Sequence, residues 1–236
     1  MMQQQGIVKG DVLQKIGSAG FIIGAILLVI FSVLGPRVSD PSKTQEVLQK
    51  LGDQEVLAQV CALLLAVGFW AVMVGAAGIY RSISAGAGAV WARLGFYGIL
   101  VGAAMWSITY ALNMATAGAA ANAATALAAG QATAYTTAYS VAAALYAGAL
   151  SVETMSIIET WLALVFLGIG MVLSAVYPRW MGWVGIVLGI VTVAAVGIVM
   201  AFAGPGSTLQ VTFLVLSLLT TLLVLVVGIW VARKAW

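Results

Sequence analysis

From Trp180 to Ala232 the chain carries no ionisable side chain, and that run dictates most of what it can fold into. It is well over twice the ~20 apolar residues that a helix needs to cross the hydrocarbon core of a bilayer. Gly204-Pro205-Gly206-Ser207 is its natural break, because glycine and proline in succession mark a turn. Two spans follow, over about 183–202 and 209–231. The rest of the chain has the same character: 63% of its residues are hydrophobic and 7% charged, against roughly 25% charged in a soluble domain. With a mean hydropathy of +1.12, the chain belongs in a membrane, where every backbone polar group must be paired internally. The fold class is therefore all-α, a polytopic integral membrane helix bundle with the lipid bilayer as its first partner.

Four more spans are legible upstream, over about 16–34, 55–80, 94–116 and 157–176. The first follows a polar arm containing Lys9 and Lys15 and is longer than the roughly 7–15 residues of a signal-peptide core, so it reads as a retained span. Between the first two, Asp40-Pro41-Ser42-Lys43-Thr44-Gln45 offers two overlapping helix starts: Asp40 as N-cap before Pro41, or Ser42 and Gln45 as a capping box. A short external helix over about 41–51 follows, with Val47, Leu48 and Leu51 on one face and Gly52 as its stop. Asp53 is then placed to cap the second span. Arg81 to Arg93 reads as a connection rich in glycine, alanine and serine.

The stretch 117–152 is uncharged and dominated by alanine, the strongest helix former, with its best break at Gly130-Gln131. The basic residues decide whether it adds a seventh span. With six spans, Lys9, Lys15, Arg81, Arg93, Arg179, Arg233 and Lys234 share one side and Arg37, Lys43 and Lys50 the other. A seventh span would move Arg179, Arg233 and Lys234 across. The positive-inside bias favours six, with both termini cytoplasmic, a multi-pass protein of the cell membrane. The stretch then becomes an external helical hairpin between spans 3 and 4. Its uncharged surface is either packed on itself or a docking face, for which Tyr135, Tyr139 and Tyr146 are the candidates.

Few residues suggest chemistry. Histidine is absent and the single Cys61 lies in an apolar run, which removes the usual haem and metal ligands and any internal disulfide. The basic residues form no run of the kind that binds nucleic acid. No nucleophile with its base and no phosphate loop is legible, so no catalytic residue, cofactor or metal is assigned, and an enzyme ranks third among the function classes. Glu153 and Glu159 lie six apart on different helical faces. Ser156-Ile157-Ile158-Glu159 matches a capping box that would start the fourth span at Ile157. Glu159 is alternatively a functional carboxylate at depth, because such groups are costly there. Trp106, Tyr110 and Asn113 form a polar-aromatic face on the third span: either a hydrogen-bonding contact between helices or the wall of a ligand pocket, with Trp70, Met105 and Met114 as further walls. Gly20 with Gly24, Gly98 with Gly102 and Gly185 with Gly189 are spaced for close helix contacts. The last two spans, lacking charge, read as scaffold or lipid-facing surface.

Tyr177-Pro178-Arg179-Trp180-Met181-Gly182-Trp183, preceded by WLALVFLGIGMVLSAV and followed by GIVLGIV, reads as a tight turn at a membrane surface, with Pro178 ending one helix. These residues resemble the hairpin between the fourth and fifth spans of a family of uncharacterised prokaryotic six-span proteins, classed as a domain of unknown function. The resemblance implies the fold and no activity. Two function classes remain in front. One is a non-catalytic accessory subunit of a larger membrane assembly, held to other membrane subunits or to copies of itself. The other is a carrier or binding protein for a small apolar molecule such as a lipid or quinone, with Trp106, Tyr110, Asn113 and Glu159 as its site.

Overall fold

The computed structural model describes residues 6–36, 38 and 40–236. Among them the chain is helical with no strand: α1 (Val12–Leu34), α2 (Thr44–Asp53), α3 (Glu55–Ser82), α4 (Ala87–Ala128), α5 (Ala132–Leu173), α6 (Arg179–Thr192), a π-helical turn (Val193–Ile198), α7 (Val199–Ala203) and α8 (Ser207–Ala235). The segment from α6 through α7 is one continuous rod, and with α1, α3, α4, α5 and α8 it makes six helices long and apolar enough to cross a membrane. Their outward faces carry Ile23, Ile26, Leu63, Ile108, Val187, Leu218 and other exposed aliphatic side chains. A water-soluble monomer does not present so continuous an apolar surface.

One end of the bundle is tied together by polar contacts. Asp11 accepts from the Gln14 backbone N–H at 3.1 Å and so starts α1 at Val12, a turn before the apolar run. The Gln14 side chain, wholly buried, accepts from Val8 N and donates to Gly6 O. Gly6 N donates to Ser82 O and Gly10 N to Ala235 O. Tyr177 is 2.8 Å from the Ser82 hydroxyl and packs on Trp230. Lys15 lies over Trp236 and Lys234 over Trp230. Arg81 faces Asp11 at 3.8 Å. The chain's two ends and the α3–α4 and α5–α6 connections thus meet on one side. The α1–α2 connection and the α4–α5 turn lie at the other; Arg37 is outside the described residues.

Several boundaries differ from the sequence reading, each for a local reason. Asp40 accepts from both the backbone N–H and the hydroxyl of Ser42, a turn that delays α2 to Thr44 with no side-chain cap. Those bonds, the side-chain one first, hold the Asp40 carboxyl below its ordinary value. Gly52 does not stop α2, which runs to Asp53; a Cβ there would stand 3.0 Å from the Ala120 backbone, so this glycine lets α2 lie against α4. Asp53 is not the cap of α3, since Gln54 precedes that helix without a side-chain bond. The expected connection from Arg81 to Arg93 shrinks to four residues, and it turns at Gly86 with φ of +77°. At the surface turn α5 stops at Leu173, and Pro178 stands before α6 rather than ending α5.

The largest difference lies in α5. It passes unbroken through Ser156, whose hydroxyl donates to Val152 O at 2.7 Å instead of capping a new helix. The alanine-rich sequence before it is already helical, so the S-x-x-E pattern has no free amides to satisfy. Both α4 and α5 have 42 residues, about 63 Å each at 1.5 Å per residue. That is about twice the thickness of a bilayer's hydrocarbon core. The two are joined at Gly130, whose φ of +69° closes the turn. Glycines bring the rods together: a Cβ on Gly20 would stand 2.6 Å from Ala71 O, on Gly98 2.6 Å from the Ala163 Cβ, and on Gly189 2.6 Å from Trp161 O.

Candidate functional site

The polar and aromatic residues of the inner helix faces do not close on one another at the α2 end. They border a cavity of about 510 Å³, walled by α1, α2, α3, α4, α5 and α8. Its aromatic part is continuous. Phe69 stacks on Trp106 with ring centres 4.7 Å apart. Trp106 meets Tyr110 at 5.5 Å and Phe213 at 6.4 Å. Phe213 meets the edge of Trp161 at 5.5 Å. Two hydrogen bonds fix the indoles: Trp106 Nε1 donates to Thr160 Oγ1 at 3.0 Å and Trp161 Nε1 to Thr220 Oγ1 at 3.1 Å. The donors are therefore used up, and the rings form a stacked aromatic wall along the cavity.

Other polar groups on the wall have no such partner. Among the described residues the Glu153 carboxylate, the Asn113 amide and the Tyr110 hydroxyl make no hydrogen bond or ion pair, although all border the cavity. The Ser217 hydroxyl, also on the wall, is buried without a hydrogen-bond partner. Glu153, Tyr110 and Tyr146 border the same cavity. Buried polar groups are ordinarily hydrogen-bonded, and groups left open toward a cavity are the arrangement by which a site orients a ligand.

The cavity is covered at the α2 end by Val47 and Leu51 of α2 and by Pro36 and Val38 of the connection before it. Tyr146 holds that cover to α5: its hydroxyl donates to Pro41 O at 2.8 Å. Tyr146→Phe is expected to cost about 0.5–1.5 kcal/mol, the net value of one such bond. The loss should appear as faster amide hydrogen exchange over residues 40–53 with protection in α4 unchanged. Unaltered exchange there would show that the apolar contacts of Val47 and Leu48 hold the cover alone.

The residues singled out from sequence fall in different places. Trp106, Tyr110 and Asn113 all border the cavity, whereas Glu159 is absent from its wall and lies at the α4–α5 contact, its carboxylate beside Gly98. Trp70, Met105 and Met114 do not border it either; Trp70 is half exposed and donates to the Ser107 hydroxyl. Of the hairpin tyrosines, Tyr146 is buried and turned to the cavity, while Tyr135 and Tyr139 pack on each other, half-buried, near the turn. Cys61 is buried on the cavity wall.

Sequence reasoning missed the contribution of α8. Gln210, Phe213, Ser217, Thr220, Thr221 and Val224 all border the cavity, so this helix is a wall of the site as well as a lipid-facing surface. Their spacing of three or four residues is one face of a helix, and that signal was present in the sequence. Of the two carboxylates, Glu153 borders the cavity and Glu159 does not, a difference set by the register of α5 against α4. No group of three or more metal-ligating side chains occurs among the described residues. No curated protein and no solved structure matches the chain. The family model described as "Domain of unknown function (DUF4386)" matches residues 17–234, nearly the whole bundle with its cavity, and the chain belongs to that family.

Proposed function

We propose that this multi-pass membrane protein binds a small, largely apolar molecule in the cavity between α1, α3, α4, α5 and α8, as a carrier or binding protein of the cell membrane. The observation that carries the reading is the cavity, about 510 Å³, within the roughly 300–1,000 Å³ of small-molecule sites and with the same mixture of apolar wall and few convergent polar groups. Exposed apolar Val33 on α1 and Leu214 and Leu218 on α8 stand at its rim, so a molecule enters from the lipid side between the first and last helices. The seven basic residues at the tied end support an orientation with both termini in the cytoplasm, in which the cavity faces the outer leaflet and the α4–α5 turn lies beyond it.

Native mass spectrometry of protein extracted gently from its own membrane tests this. A reproducible small-molecule adduct is expected on the wild type and is lost from the double variant Trp106→Leu, Asn113→Ala. An adduct retained by that variant places the molecule elsewhere and rejects the site. The accessory-subunit reading keeps one observation of its own, the uncharged hairpin with Leu127 and Val141 exposed on its outer part. It is favoured instead if the same spectra show defined partner subunits at fixed stoichiometry and no adduct.

A further inference from the structure

Glu153 is the feature of this cavity that a neutral apolar ligand leaves unexplained. Among the described residues its carboxylate is the one charged group on the wall, and no described lysine or arginine borders the cavity beside it. Lys43, the nearest described basic residue before α2, is engaged with Glu46 at 3.0 Å. A carboxylate facing a largely apolar cavity is stabilised by a proton or a cation, and one left without either is costly. Around the same space stand the rings of Phe69, Trp106, Tyr110, Phe213 and Trp161. Aromatic faces carry the negative end of the ring quadrupole and attract cations, most strongly where water is excluded.

We propose that the ligand is an amphipathic organic cation, its charged head held between Glu153 and the aromatic wall at Tyr110 and Trp106 and its apolar body against Leu65, Leu164 and Phe213. The inference rests on the cavity being a ligand site and adds the charge of what enters it. Such a molecule satisfies the carboxylate and meets the aromatic wall, and the open Asn113 amide donates to or accepts from a polar group adjoining the head.

The test uses the full chain in detergent with two probes, tetraphenylphosphonium as the lipophilic cation and Nile red as a neutral apolar dye. In the wild type, tetraphenylphosphonium is expected to bind saturably and to displace Nile red. In Glu153→Gln its affinity falls about tenfold or more, as when one partner of a desolvated charge pair is removed, while Nile red binds as before. Glu153→Asp keeps most of the cation affinity. Equal binding of tetraphenylphosphonium by wild type and Glu153→Gln overturns the inference. So does Nile red that is lost on replacing Trp106 and Asn113 yet is not displaced by the cation; in that case the cavity binds neutral molecules and the proposed function stands. Binding of the cation only after Arg37→Gln also overturns it, by identifying the chain's own arginine as the counter-charge. Absence of binding by either probe, together with no native adduct, removes both readings. The displacement experiment needs no variant, so a poorly folding substitution does not decide the result.

Discussion

Trp161→Ala is expected to lower the stability of the bundle by about 3–5 kcal/mol, the range for removing a large buried aromatic side chain. In a bilayer the loss cannot be ascribed to water, because lipid tails are as apolar as the side chains they replace. It comes from contacts: Trp161 is buried against Trp106, Ile157 and Val196, meets Phe213 edge-on and donates to Thr220. These partners belong to α4, α5, the π-helical turn and α8, so one indole joins four parts of the fold. Unfolding of the purified protein by a denaturing detergent, followed by tryptophan fluorescence, would measure the change. A loss below about 1 kcal/mol would mean that the cavity wall is held by something other than this side chain.

The second large effect is expected at Gly168. A Cβ there would stand 2.6 Å from Gly182 O, and one on Gly182 would stand 2.5 Å from Gly168 O. Neither obstacle can swing aside, since both are backbone atoms, so α5 and α6 touch where only hydrogen fits. Gly168→Val forces the two helices apart and is expected to cost about 1–3 kcal/mol or more. Gly206→Val is the matched control, because nothing lies within 4 Å of a Cβ at that position. The contrast in detergent stability between the two variants is the measurement. Equal losses would show that the α5–α6 contact contributes little.

The six helices were legible because their apolar runs are interrupted by charges or turn residues, and the charge count favoured six over seven. The turn at Gly130 was legible as the best break in an alanine-rich stretch that is helical on both sides of it. A fresh helix start at Ile157 was the misleading signal, because the S-x-x-E pattern looks like a cap even where α5 runs through it unbroken. The cavity was half legible. Trp106, Tyr110 and Asn113 are spaced along one face of a single helix, a pattern visible within the sequence itself. Choosing between Glu153 and Glu159 required knowing which face of α5 meets α4, and six residues at about 100° each leave the two carboxylates about 120° apart. That register is set by Gly95, Gly98 and Gly102 against Ala163, Leu167 and Thr160. The bond from Tyr146 to Pro41 joins residues 105 positions apart, a pairing that no local pattern announces.

The order in which the walls are synthesised has a consequence for biogenesis. The cavity is bounded by α1 and α8 together, the first and last long helices of the chain, which meet where Gly228 packs on Phe21 and Ile22. While the ribosome is still making residues after Ala203, the faces of Trp106, Trp161 and Glu153 lack the wall that Phe213, Ser217 and Thr220 will supply. Until then, a carboxylate and two indoles face the insertion machinery or lipid. Chains arrested before Ser207 are therefore unfinished in a stronger sense than lacking one helix, and they present to membrane quality control the polar surface that the completed protein encloses.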